Sequence, residues 1–149
     1  MPSIVETLGS KILDRSGELL SVNMLTEPGK VVGLYFSSSW CPDRAFTPFL
    51  ANFYSHFRTT DRGQHFEIVY ISADKDKDSF DQYFGEMPWH AIPYDDMQIR
   101  VIITVSAFDH LQARDSLRTY AVLTPHRIYI DIYDIYLTLF NCTTVGGAT

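Results

Sequence analysis

The sequence predicts an α/β fold in which helices cover a central β-sheet, and three stretches carry that expectation. Val31–Phe36 is a short, almost wholly apolar run, as suits a strand covered on both faces. Phe46, Phe49, Leu50, Phe53 and Phe57 then recur at helical spacing and predict one buried helix face. Phe66–Ile71 is a second interior run, rich in β-branched and aromatic residues. A right-handed crossover through the helix would lay the two strands in parallel.

The remaining elements follow in chain order. Ile12-Leu13 and Leu19–Val22 flank Asp14–Glu18, whose Asp, Ser and Gly favour a turn, so a short hairpin is expected. Glu27-Pro28-Gly29-Lys30 is a second turn leading into Val31. Pro42 suits the first turn of the helix, where a missing N–H is no loss. Pro48 lies deeper and should remove the hydrogen bond to the Arg44 carbonyl, kinking the helix. Residues 72–78 form a charged loop, read mostly as a solvated rim, that caps a helix with Phe80, Tyr83, Phe84 and Met87 inside. Asp74, Asp76 and Asp78 are spaced like the start of a calcium loop. Ser79 stands where that loop needs Gly, however, and Gly85 where it needs Glu, so no metal site is expected. Met87–Asp96 contains Pro88 and Pro93 and reads as an ordered, extended connection in which Trp89 and Tyr94 pack.

Beyond that point the chain changes character, with no Lys after Lys77 and no Gly between Gly85 and Gly146. Ile99–Val105 reads as a strand and Phe108–Tyr120 as a helix. Tyr120–Leu123 and Ile128–Tyr133 could pair across Thr124-Pro125-His126-Arg127 as a type I turn.

Composition excludes several function classes. The chain has 149 residues, which fits one domain, and a net charge of −6, which argues against binding nucleic acid or an anionic membrane through a basic field. Cys41 and Cys142 are its two cysteines, too few for a disulfide scaffold or a zinc site of Cys and His. His56, His65, His90, His110 and His126 are scattered without ligand spacing. Residues 1–10 lack the features of a secretory signal, and Ile128–Phe140 is too short and too interrupted by Asp131 and Asp134 to span a bilayer. A cytoplasmic or nuclear location with reduced thiols is the resulting expectation, and no cofactor is implied.

Cys41 lies where the first strand ends and the helix begins, so backbone N–H groups and the helix dipole can stabilise its thiolate. Arg44, one turn on, would add to that effect, whereas Asp43 would oppose it. Trp40 is expected beside the thiol as a lid and contact surface, or else as core. Cys142 has no assigned role.

The segment Tyr35-Phe36-Ser37-Ser38-Ser39-Trp40-Cys41-Pro42, followed by Arg44–Leu50 and Phe53-Tyr54, resembles the active-site segment of the tryparedoxin and nucleoredoxin-like branch of the thioredoxin superfamily. Phe66–Asp74, with its Ser72-x-Asp74 turn, and Met87–Asp96 resemble later blocks of that branch. The resemblance covers about residues 8–96. It implies a thioredoxin-like sandwich with a central mixed β-sheet flanked by helices. Residues 1–149 are then a single domain, family-like over 1–96 and divergent over 97–149. It also implies a thiol-disulfide oxidoreductase, a disulfide reductase with Cys41 as nucleophile and Trp40, Pro42, Asp43 and Arg44 as the supporting segment. Its partners would be proteins or low-molecular-weight thiols and disulfides.

Two departures qualify what the resemblance implies. The family motif reads Trp-Cys-Pro-x-Cys-Arg, and here Trp40-Cys41-Pro42-Asp43-Arg44 is one residue short and lacks the second cysteine. Activity is therefore expected to be weak, or monothiol only. The family's later Ile-Pro dipeptide, with its cis proline facing the thiol, is also missing, Thr124-Pro125 being the one X-Pro of the tail. A splice variant, intron read-through or frameshift would produce such a tail. The alternative function is a catalytically inactive thioredoxin-fold protein used for binding or signalling, as a truncated splice form would be.

Overall fold

A computed structural model describes residues 8–28, 30–40, 46–101, 120–124 and 127–128. Strands β1 (Lys11–Leu13) and β2 (Leu19–Ser21) form the expected antiparallel hairpin, in register Lys11↔Ser21 to Leu13↔Leu19. Asp14 closes its turn: Oδ1 accepts hydrogen bonds from Ser16 N (2.8 Å), Ser16 Oγ (2.6 Å) and Glu18 N (3.0 Å). Gly17 supplies a φ of 88°, which an L side chain adopts only with strain.

After a 3-10 turn at Val22–Leu25 the chain enters β3 (Val31–Ser37). Helix α1 (Phe46–Phe57) then leads to β4 (Phe66–Ser72), which pairs with β3 in parallel from Val31↔Phe66 to Ser37↔Ser72. Helix α2 (Lys77–Phe84) and a short β5 (His90–Ala91) follow, β5 running parallel to β4 and antiparallel to β1. On the other side of β3 lies β6 (Tyr120–Thr124), parallel to it, and β7 (Arg127–Ile128) runs antiparallel to β6. Among the described residues these strands form one mixed sheet in the order β2-β1-β5-β4-β3-β6-β7, which is the expected fold class. The two central strands are the two apolar runs. Val32–Ser37 and Glu67–Ser72 are buried throughout because sheet neighbours and helices leave neither face open.

The buried face of α1 differs from the one the Phe stripe predicts. Thr47, Leu50 and Tyr54 point inward, whereas Phe49 is 61% exposed and Phe46 and Phe53 pack at the shoulders of the core. The rotation is possible because the inward polar groups find partners. Thr47 Oγ1 lies 2.7 Å from Tyr35 OH, and Tyr54 OH donates to Glu67 Oε2 at 3.2 Å. Phe53 and Phe57 stack on each other, centroids 5.4 Å apart, and so shield one another outside the main core. Pro48 is the third residue of the described helix, while the Arg44 carbonyl of the predicted kink lies outside the described residues. Gly63, in the turn after α1, has no room for a Cβ, which would overlap the Phe57 carbonyl.

The core between sheet and helices is aromatic. Trp89 is fully buried, with Tyr35 and Tyr54 presented edge-on at 5.7 and 5.6 Å. Phe80, Tyr83, Phe84 and Met87 are buried as predicted, and Asp76 caps α2 by accepting from Ser79 N at 2.7 Å. Tyr94 packs on Phe80 at 5.6 Å.

The predicted strand at Ile99–Val105 is overturned where it is described, since residues 97–101 are helical. Asp96 accounts for this: its carboxylate accepts from Ile99 N at 3.4 Å and its carbonyl from Arg100 N at 3.1 Å, a helix start that outweighs the alternating apolar pattern. The predicted hairpin across Thr124–Arg127 is present as Leu123↔Ile128 and Thr124↔Arg127. Pro125, Cys142 and, apart from Tyr120, the predicted helix Phe108–Tyr120 lie outside the described residues.

Candidate functional site

Cys41, Pro42, Asp43 and Arg44 lie outside the described residues, and what the structure describes is the frame on either side of them: Ser37–Trp40 before and α1 after. That frame sits at the carboxyl ends of β3 and β4, where open α/β sheets place their sites.

One buried carboxylate organises it. Asp74 is 4% exposed, so it must be hydrogen-bonded to be tolerated. Its Oδ1 accepts from Ser39 N at 2.9 Å and Ser39 Oγ at 2.6 Å. Its Oδ2 accepts from Ser72 Oγ at 2.9 Å and Tyr70 OH at 3.1 Å. The Ser39 turn, two residues before Cys41, is thereby fastened to the end of β4. Two further bonds reinforce it: Ala73 N donates to the Ser37 carbonyl at 3.0 Å, and Trp40 Nε1 to the Ala73 carbonyl at 3.3 Å. Trp40 is consequently half-buried, with its indole edge held against the β4 loop. Asp74 departs from the expectation that this loop is a solvated rim, because the end of β4 brings it two donors and the Ser39 turn two more. Asp76 and Asp78 do match that expectation and are exposed.

A second polar chain lies beneath. Tyr35 OH, Thr47 Oγ1, Tyr83 OH and Ser37 Oγ follow one another in hydrogen-bond contact, the last pair at 3.3 Å. Burial first, and then the Asp74 carboxylate, pushes the Tyr70 phenol well above its ordinary range. Burial, reinforced by Tyr83, likewise raises Tyr35, so both phenols stay protonated.

A buried ionic cluster at the opposite end of β4 escapes sequence reading. The Glu67 side chain is 4% exposed, and its Oε1 accepts from Arg58 Nη1 at 2.7 Å. His90 Nδ1 stands 3.5 Å from the other oxygen, which accepts from Tyr54 OH. Burial pushes the Glu67 carboxyl up, but His90, Arg58 and Tyr54 outweigh it and hold it below the usual glutamate value. The sequence signal is a lone acid in an apolar strand, which does not name its partners.

Among the described residues no cluster of three or more His, Cys, Asp or Glu is placed to hold a metal ion, and no helix is long and apolar enough to cross a membrane. Asp74 and Asp76, the first carboxylates of the supposed calcium loop, are engaged in separate tasks.

Comparison with known proteins agrees with this frame. Residues 29–111 match the family model described as Thioredoxin-like. Nucleoredoxin of Bos taurus is 39% identical over 121 residues, covering 80% of this chain and 26% of that protein. Tryparedoxin of Trypanosoma brucei brucei is 45% identical over 87 residues, 58% of this chain and 56% of that protein. The chain thus spans about a quarter of the length of the nucleoredoxin it matches. Among solved structures, tryparedoxin I of Leishmania major superposes with a TM-score of 0.59 at 32% identity, covering 74% of this chain and 69% of that one. A tryparedoxin II complexed with glutathionylspermidine also gives 0.59, at 33% identity over 73% and 69% of the two chains.

Proposed function

The chain belongs to the thioredoxin-like family, and from that premise we propose that it takes part in thiol-disulfide exchange with Cys41 as its single nucleophile. A redox, oxidoreductase-like role agrees with the nucleoredoxin and tryparedoxin relatives. The observation that carries the reading is the Asp74 clamp, which fixes Ser39 and Trp40 immediately before Cys41. A thiol that must meet a partner sulfur in line gains from such a rigid frame. In this reading Trp40 supplies the contact surface, and Pro42, Asp43 and Arg44 make up the supporting segment, a cation at Arg44 favouring a thiolate and an anion at Asp43 opposing it.

In the first step the Cys41 thiolate attacks one sulfur of a partner disulfide. The new S–S bond forms as the partner's second sulfur leaves as a thiolate and takes up a proton. The Trp40–Arg44 segment has no second cysteine, so the resolving thiol is an external one or Cys142. By the external route a thiolate attacks the Cys41 sulfur and releases the partner as a dithiol. A second external thiol then frees Cys41, and the two external thiols leave as one disulfide. Low-molecular-weight thiols suit this step, as the tryparedoxin II structure with glutathionylspermidine suggests. A cytoplasmic or nuclear compartment would keep Cys41 reduced.

The test is reduction of insulin disulfides by the chain with glutathione as reductant. Slow turnover that rises with glutathione and vanishes in Cys41→Ser is expected, and equal rates for the two proteins would refute the reading. The missing second cysteine favours one other reading, a catalytically inactive binding or signalling protein. Absence of turnover, with partner capture intact in Cys41→Ser, would establish that instead.

A further inference from the structure

Between the β1–β2 hairpin and α2 runs a groove of about 760 Å³, whose lining residues 93–96 complete. We propose that it is the face by which two copies of this chain pair about a two-fold axis, the hairpin of each lying on the α2 wall of the other. None of Ser39, Trp40 and Asp74 lines the groove, so the inference goes beyond the exchange reading and does not depend on it.

Two observations carry it. The first is an apolar strip along the groove. Leu13 and Leu19 are cross-strand neighbours and both line it, Leu13 half-buried and Leu19 59% exposed. Phe80 and the half-buried Tyr94 line it as well, their ring centroids 5.6 Å apart. A single exposed leucine is ordinary on a protein surface, so it is its place on the lip of a groove floored by aromatic rings that counts.

The second is the distribution of charge. Lys11 and Arg15 are exposed and line the hairpin wall. The hairpin's carboxylates, Asp14 and Glu18, stay charged but do not line the groove: Asp14 is bonded into its own turn, and alternation along the strand turns Glu18 away from the side of Leu19. The hairpin is therefore neutral in sum, with its cations on the groove side. On the facing wall Lys77, 2.7 Å from Asp81, is the one lining cation against Asp81, Asp95 and Asp96. Asp78 and Glu86 adjoin that wall and deepen its negative charge, while Lys75 and Asp76, just ahead of α2, offset each other.

A groove with cations on one wall and an excess of carboxylates on the other is complementary to itself. A two-fold axis lying along the groove sets each hairpin against the α2 wall of the other copy, so one contact is made twice. An axis across the groove would instead set like walls together. The Leu13↔Ala91 register, carried two residues on, brings Lys11 level with Pro93 and close to the level of Asp95. An axis along the groove keeps that level, so Lys11 of each copy faces Asp95 of the other. The contact is small, because α2 has 8 residues and is about 12 Å long. A net charge of −6 on each copy opposes approach at long range, and the pair belongs with weak interfaces below about 1,200 Å².

The experiment is sedimentation equilibrium of the full chain from about 10 μM to about 1 mM in about 0.15 M salt, with excess reductant to remove any pairing through Cys41 or Cys142. A mean mass that rises with concentration toward that of two chains is expected, and a monomer throughout would overturn the proposal. Leu19→Glu should abolish the rise. Lys11→Glu and Asp95→Lys, each alone, should weaken pairing about tenfold, because each sets like charges together twice in the pair. An equimolar mixture of these two variants should recover pairing to within about threefold of the parent, since the two reversals cancel in the mixed pair. All three positions are exposed, and thermal midpoints equal to the parent's would show that the variants are folded. Pairing of parent strength in Leu19→Glu or in either charge variant, or a mixture that pairs no better than its components, would overturn the proposal.

Discussion

The two ends of β4 each bury an acid, and they cover it by opposite means. At the carboxyl end Asp74 is surrounded by neutral donors: one backbone N–H and three hydroxyls. At the amino end Glu67 is held by a cation, Arg58, with His90 alongside and one phenol. Neutral donors point at fixed positions and do not change charge with pH, so the carboxyl end is a geometric clamp on the backbone that precedes Cys41. The amino end is an electrostatic tie between the turn after α1, β4 and β5. A site that must hold a shape belongs at the first kind of end, which is where Cys41 falls in the chain.

That contrast is broken most forcefully by Asp74→Ala. The substitution removes the acceptor shared by Ser39 N–H, the Ser39 hydroxyl and the Ser72 hydroxyl and one of the two acceptors of Tyr70 OH, and we expect a loss of roughly 3 kcal/mol in urea unfolding. Trp40 should move with the Ser39 turn, so its fluorescence in native buffer should change as well. An unaltered emission spectrum would mean that the clamp does not position Trp40.

Glu67→Gln addresses the other end and should cost less, about 2 kcal/mol, because Arg58 is 36% exposed and partly solvated without its partner. Its distinguishing mark is pH. The folded Glu67 carboxyl lies below its unfolded value, so its stabilisation is present above the unfolded value and is lost as pH falls through the folded one. Stability of the parent chain should therefore fall below about pH 4.5 more steeply than that of Glu67→Gln. Asp14, held low chiefly by the Ser16 hydroxyl, and Asp76, held low by Ser79 N–H, should keep part of the slope in both. Parallel acid limbs would show that the amino-end tie carries no charge dependence.

How much of this was legible depends on the distance over which each feature is decided. The hairpin, both central strands and α2 follow from local signals such as Asp14–Gly17, the Val31 and Phe66 runs and the Asp76 cap. The Asp74 clamp does not, because the Ser39 turn lies 35 residues earlier and reaches it only through parallel pairing of β3 and β4. Glu67 and His90, 23 positions apart, meet through pairing of β4 and β5. At residues 97–101 a local signal was available, the Asp96 cap, and an alternating apolar pattern masked it. The thiol itself was read from its position in the chain and from family resemblance, and Cys41 lies outside the described residues.

The smallest expected effect tests where pattern and structure disagree between the two ends, on α1. The Phe stripe counts Phe49 as core and omits Thr47 and Tyr54, yet Thr47 is fully buried and Phe49 is 61% exposed. Helical spacing alone cannot separate a face 100° wide from its shoulder when five of twelve residues are large and apolar. Partners decide it: Thr47 belongs to the hydroxyl chain of the carboxyl end and Tyr54 to the Glu67 cluster of the amino end. The inward face of α1 is thus chosen by the same two acids' surroundings that distinguish the ends of β4. Phe49 touches neither network and contacts Phe46 at 5.9 Å on the outside. Phe49→Ser should therefore shift the urea midpoint by no more than about 0.5 kcal/mol equivalent. A loss of several kcal/mol would restore Phe49 to the core and require α1 to be turned about its axis, taking Thr47 and Tyr54 away from both networks.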